Sequence, residues 1–300
     1  MSELSIYSKI YEPDENTPII GVVQLVHDMY THQESLKSIC DFLTENGYAC
    51  ITFDLKGHGQ NLRRDSELGF FGDNSVNHLI GRVQENTLYI RENYPCIPYI
   101  LLGQGFGALL ATAYFKRYDN FVDGLFLFGM PGYPPLAPLF HIIVFLFKTF
   151  RGEYHRSPFL NKLLTGSFGR AFKEKYKYSW VSSDQEYIKK FREDYKCGFN
   201  YTVNGYETLC ELLELAYKNG SWIKKTTECP VCLFFGEDDP CIGNKKQLTS
   251  VSLFTENGYH FVVHYIYPGL RHDLLNEAEK KDIHEDILYE LYLIQENYKK

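Results

Sequence analysis

Continuous apolar runs alternate with amphipathic stretches along most of this chain. Ile19 to Val26 carries no charge and reads as a strand buried on both faces, and a helix follows from about Gln33 to Glu45, stopped by Asn46-Gly47. Tyr48 to Phe53 is a second strand, Ser75 to Glu92 a helix, and Tyr99 to Leu102 a third strand that turns straight into another helix. Val122 to Phe128 is a fourth strand. After a long interruption come the strand Val231 to Phe235, a helix around Lys245 to Phe254, the strand Phe261 to Tyr267 and a final helix from about Ala278 to Tyr298. Strands alternating with helices predict an α/β chain, its sheet mostly parallel and covered on both faces.

The interruption runs from Met130 to about Lys225. Gly132-Tyr133-Pro134-Pro135 breaks the chain, Leu136 to Phe150 is an apolar helix with little polar relief, and the rest is rich in Tyr, Phe and Lys without clear strands. Residues 131–225 therefore read as a lid inserted into a core made of residues 1–130 and 226–300. Within it, LAPLFHIIVFLF fits a peripheral membrane-docking surface, the wall of an acyl channel, or a helix packed against the core. Only Lys148 and Arg151 supply the basic face that an interfacial helix would show.

Composition narrows the classes. At 44% hydrophobic residues the 300-residue chain can bury a large core, and its formal net charge of −7 argues against a phosphate-backbone partner, so no nucleic acid is expected. The first residues lack a basic segment followed by an apolar one, and no apolar run reaches the roughly 18 residues that span a bilayer, so a cytoplasmic protein is expected. Eight cysteines are scattered instead of grouped. Cys229-Pro-Val-Cys232 has the spacing of a redox pair or half a zinc site, but no second pair accompanies it and it leads into an apolar strand. Neither a cofactor nor a metal is expected.

The candidate chemistry lies at the ends of the predicted strands. Gly103-Gln104-Gly105-Phe106-Gly107 follows an apolar strand and opens a helix, the layout of a GxSxG nucleophile elbow, with Gly105 where the nucleophile should stand. Small residues after a strand also serve helix packing or a phosphate-binding turn. Gly236-Glu237-Asp238-Asp239-Pro240 and Pro268-Gly269-Leu270-Arg271-His272-Asp273 follow the later strands, which places Asp239 and His272 at the carboxyl edge of the sheet, where such folds keep their ligands. A lone acid there is usually a helix cap and a lone histidine usually structural; elbow, acid and histidine in this order are the nucleophile, Asp, His order of an acyl-transfer triad.

On these pieces, with Val26-His27, Phe53-Asp54-Leu55-Lys56-Gly57-His58-Gly59, Tyr178-Ser179-Trp180-Val181-Ser182 and Cys197-Gly198-Phe199, the chain resembles the monoacylglycerol lipase and lysophospholipase-like (serine aminopeptidase-like) branch of the α/β-hydrolases over nearly its whole length. The resemblance implies the α/β-hydrolase fold, a mostly parallel doubly wound sheet with an inserted helical lid, and carboxylic ester hydrolysis. It makes Asp239 the triad acid and His272 the base, and gives the oxyanion hole to the backbone N–H groups of Met29 and Phe106. The departures are His27-Asp28 where the family has His-Gly, and Gln104-Gly105 where it has His-Ser. Asp28 sets a carboxylate near a hole meant for a developing oxyanion and would oppose that charge unless it points away or is protonated.

Without a hydroxyl at 105 no acyl-enzyme forms, and loss of the serine in a comparable hydrolase costs about 10⁶ in kcat. Three functions fit: a degenerate hydrolase that binds an apolar or acyl-bearing small molecule under its lid, an enzyme using the Asp239–His272 dyad as general base on water or substrate, and a protein-interaction module. Cys241 reads as a buried thiol in preference to a substitute nucleophile, His58 as a turn-fixing residue, His27 as an orienter of the oxyanion loop, and Trp180 as lid core.

Overall fold

A computed structural model describes residues 4–174, 177–218, 220, 222–242 and 247–298. Six strands form where apolar runs predict them: β2 (Gly21–Val26), β3 (Tyr48–Phe53), β4 (Tyr99–Gln104), β5 (Gly124–Phe128), β6 (Val231–Gly236) and β7 (Val262–Tyr267). These six pair in parallel, and β1 (Ser8–Tyr11), with no apolar run to announce it, adds antiparallel to β3 at the edge. The order across the sheet is β1-β3-β2-β4-β5-β6-β7.

Helices cover both faces. Beneath one lie α1 (Lys37–Glu45, entered through a 3₁₀ turn over Gln33–Leu36) and α9 (Lys281–Tyr298); against the other pack α2 (Ser75–Asn93), α3 (Phe106–Tyr118) and α8 (Gln247–Thr255). The predicted start of α8 at Lys245 falls outside the described residues. The strands divide their side chains as a pleat requires: Tyr99 and Leu101 of β4 join the α2–α3 core, Ile100 and Leu102 the α1–α9 core. α3 is buried along its length from Phe106 to Lys116, which fixes the turn at its start from every side.

Among the described residues, the α-helices between β5 and β6 are α4 (Ala137–Arg151), α5 (Pro158–Thr165), α6 (Gln185–Glu193) and α7 (Val203–Tyr217). Lys116 of α3 anchors them: its buried ammonium donates to the Leu215 and Ala216 carbonyls at 2.7 and 3.2 Å, at the carboxyl end of α7, where the helix dipole favours a cation. α4 rests on α7 through Val144, the residue of α4 that is fully buried, while Ile142, Phe145 and Phe150 stay 57%, 58% and 78% exposed. No helix among the described residues is long and apolar enough to cross a membrane.

Candidate active site

The strand-to-helix turn after β4 has the geometry of an elbow although its central side chain is missing. Gly105 holds φ 54° and ψ −114°, a conformation that L side chains rarely adopt, and its N–H is tied to the Phe128 carbonyl at 2.9 Å. A Cβ on Gly103 would lie 2.3 Å from the Gly107 carbonyl oxygen, and one on Gly107 2.2 Å from that of Val26. Both flanking glycines are therefore demanded by the packing of α3 on the sheet.

Around this turn the carboxyl ends of β2, β4, β6 and β7 bring together all the expected side chains. His272 Nδ1 lies 2.8 Å from Asp239 Oδ2, both buried, as an acid–histidine pair requires. The loop bearing His272 is held by the segment between β5 and β6: the His272 and Asp273 N–H groups donate to the Trp180 and Val181 carbonyls, at 3.4 and 2.7 Å, and the buried Arg271 guanidinium donates to the Ser179 carbonyl at 2.6 Å. Glu277 accepts from the Arg271 N–H at 2.7 Å and the Ser183 N–H at 2.7 Å. The Tyr178–Ser182 and Arg271–Glu277 segments are thus each other's partners. Trp180 sits 5.3 Å from the His272 ring, facing the site.

Asp28 does not point away. Its Oδ1 accepts the Phe106 N–H at 2.7 Å, so it fills the expected oxyanion hole with a standing carboxylate. Its Oδ2 lies 3.6 Å from His272 Nε2, an ion-pair contact too long for a direct hydrogen bond. A Cβ built on Gly105 would meet Asp28 Oδ1 at 2.1 Å and His272 Nε2 at 3.0 Å. The carboxylate thus occupies the volume that a nucleophile's side chain would take.

The imidazole is flanked by two acids. Burial disfavours its charged form, but Asp239 at one nitrogen and Asp28 at the other outweigh this and raise the His272 pKa well above the ordinary value. Burial likewise pushes against an ionised Asp28, yet His272 and the N–H groups of Phe106 and Met29 bring its pKa below the usual carboxylate value. Cys241, beside them, has its thiol pushed up to about 12 chiefly by burial, which leaves it a poor nucleophile.

The loop carrying Asp28 is tightly specified. Burial lowers the His27 pKa to about 4, keeping it neutral; its Nε2 accepts the Leu55 N–H at 3.1 Å and its Nδ1 lies 2.7 Å from the Asp28 carbonyl. His58 Nε2 lies 3.0 Å from the Met29 carbonyl and 2.5 Å from the Tyr201 hydroxyl, another fixed loop contact. Gln104 donates to Asp273, which also accepts from the Tyr187 hydroxyl at 2.6 Å and from Asn276 at 3.1 Å. This network was not legible in advance, because α6 brings Tyr187 to the site from far along the chain.

A cavity of about 110 Å³ opens on these groups, lined by Asp28, Phe106, Leu164, Phe168, Trp180 and His272 among others. It is almost wholly apolar and small beside the ~300–1,000 Å³ of typical ligand sites. A larger hollow of about 910 Å³ lies elsewhere, between Asp119, His260, Tyr265 and Tyr298; it has no share in the acid–histidine cluster, which is why chemistry takes precedence over size here. Among the described residues, two groups place metal-ligand atoms within 4.8 Å of one another, Asp239–Cys241–His272 and His32–Asp194–Cys197. In the first, His272 is already engaged by carboxylates; in the second, His32 pairs with Asp194 at 2.9 Å and burial raises the Cys197 thiol pKa. All eight cysteines are free, including Cys229 and Cys232.

With this geometry in place, the comparisons with known proteins are consistent. The family model described as serine aminopeptidase, S33, matches residues 17–279. A thermostable carboxyl esterase from Bacillus coagulans superposes with a TM-score of 0.86 at 22% identity, covering 96% of this chain and 94% of the other. A soluble variant of monoglyceride lipase from Saccharomyces cerevisiae gives 0.74 at 18% identity over 97% and 91%, and the monoacylglycerol lipase of Paleococcus ferrophilus 0.71 at 16% over 96% and 98%. No curated protein matches the chain in sequence.

Proposed function

The chain belongs to the serine aminopeptidase S33 family of α/β-hydrolases, and from that premise we propose that it is a degenerate carboxylic ester hydrolase, closed to the serine route, whose remaining site binds a small apolar or acyl-bearing molecule. One observation carries this reading: Asp28 occupies the space of the missing nucleophile and takes the Phe106 N–H. Gly105 alone removes the group that forms the acyl-enzyme. Asp28 also removes the residual catalysis, on the order of 10³ to 10⁴ over water, that an oxyanion hole retains without its serine, because a fixed negative charge stands where a new one would develop.

The general-base alternative is weakened by the same contacts, since an imidazole held charged by two carboxylates is not free to take a proton at neutral pH. The cavity favours small-molecule binding over a purely protein-binding role, and its size favours a short apolar group over a whole long acyl chain. The exposed apolar face of α4 is a peripheral membrane contact in this reading, a surface from which such a molecule would reach the site.

The test is hydrolysis of p-nitrophenyl esters by the natural protein and by Gly105→Ser, Asp28→Gly and the double variant. The natural protein and both single variants are expected to be silent, because a serine at 105 collides with Asp28 until that carboxylate is removed. The double variant is expected to turn over. Ester turnover by the natural protein that disappears in His272→Ala would overturn the reading.

A further inference from the structure

Three features of Asp28 fit an active role. The carboxylate stands in the nucleophile's space, it lines the apolar cavity, and one of its oxygens already accepts the Phe106 N–H at the start of α3. Nε2 of His272 lies 3.6 Å from the other oxygen. We propose that Asp28 is a relocated nucleophile, and that the site opens small apolar epoxides through an ester formed on the Asp28 carboxylate. The proposal rests on the reading that the cavity takes a small apolar molecule, and adds a reaction to it.

The chemistry selects the substrate class. Carboxylate attack on an ester carbonyl would make an activated anhydride and expel an alkoxide, an uphill exchange, whereas attack on a ring carbon of an epoxide releases ring strain. In the first step an Asp28 oxygen bonds to that carbon, the ring C–O bond breaks with its electron pair going to oxygen, and His272 gives that oxygen its Nε2 proton. A hydroxyalkyl ester of Asp28 and a neutral His272 result.

The groups facing His272 make the second step follow from the first. They are Asp239 at Nδ1, Asp28 at Nε2, the Cys241 thiol and the Trp180 ring. Esterification cancels the Asp28 charge and leaves Asp239 as the one carboxylate on the imidazole, which can now act as a base. His272 takes a proton from water, the hydroxide bonds to the Asp28 carboxyl carbon, the carbonyl π pair moves to its oxygen, and that oxyanion is met by the Phe106 N–H. Collapse breaks the ester C–O bond, and the carboxyl proton passes to the departing alkoxide. The diol leaves, and Asp28 and His272 return to their starting charges. Water is the only co-reactant.

The experiment uses the natural protein with propylene oxide in heavy-oxygen water, followed by mass analysis of the diol and of the peptide containing Asp28. In parallel, ligand-observed NMR follows binding of tetrahydrofuran, an unreactive cyclic ether. The expected result is diol formation with heavy oxygen entering the Asp28 carboxylate, and loss of both in a folded Asp28→Asn protein. Diol carrying the label with none in Asp28 would mean direct attack by water and would overturn the proposal. Binding of tetrahydrofuran with neither diol nor label would overturn it while leaving the binding role intact. Absence of binding as well as reaction would remove both.

Discussion

The two halves of the site match the layout of an acid, histidine and nucleophile to different extents. On the β6–β7 side Asp239 and His272 keep an acid–histidine pair at 2.8 Å, braced by Trp180, Arg271 and Glu277. On the β2–β4 side the backbone has the form of an elbow, Gly105 in its strained conformation and Phe106 presenting its N–H, but no nucleophile stands at 105 and Asp28 takes that N–H. The elbow backbone is fixed by the packing of Gly103, Gly107 and α3 and not by the group it displays.

The largest expected effect breaks the comparison deliberately. If the β6–β7 half is intact, the Asp28→Gly/Gly105→Ser protein should hydrolyse esters, and adding His272→Ala to it should cost about 10⁴ to 10⁶ in kcat, measured with p-nitrophenyl acetate. Equal activity with and without His272 would show that the β6–β7 half is only scaffolding.

Much of this was legible in the chain. The parallel strands followed from their apolar runs, and Asp239 and His272 from their places after β6 and β7. What sequence could not supply was the direction of Asp28: nothing in His27-Asp28-Met29 says whether the carboxylate faces the site, and only the spacing to Gly105, a residue far along the chain, settles it. β1 escaped notice because a short edge strand, half exposed on both faces, has no periodicity to read. The roles of Arg271 and Glu277 were equally hidden, since their partners lie in the insertion.

Stability sharpens the contrast next. In the natural protein His272→Ala leaves Asp28 and Asp239 as buried carboxylates without their cation and should cost about 3–5 kcal/mol in urea unfolding. Asp28→Asn, which leaves the Asp239–His272 pair in place, should cost clearly less.

Two acids beside His272 should titrate in opposite senses. Burial raises the Asp273 pKa from 3.8 to about 6, so the fold favours its protonated form; that stability is full below the unfolded pKa and is lost as pH rises through about 6. Asp28, with a lowered pKa, contributes stability above the unfolded value that is lost as pH falls through its folded one. Asp273→Asn should therefore abolish a loss of about 2–3 kcal/mol between about pH 4 and pH 7 in denaturant titrations. The smallest effect is at the surface: Phe150→Ser on α4 should change stability by no more than about 0.5 kcal/mol yet weaken flotation with phosphatidylcholine vesicles about tenfold, a loss of about 1.4 kcal/mol.

The central claim, that Asp28 and Asp239 together hold the His272 imidazole charged, is tested most directly by NMR titration of the His272 ring in the natural protein and in Asp28→Asn. The account predicts a pKa well above the ordinary histidine value in the natural protein, and a clear fall when Asp28 loses its charge. An ordinary pKa in the natural protein, unchanged by Asp28→Asn, would contradict it.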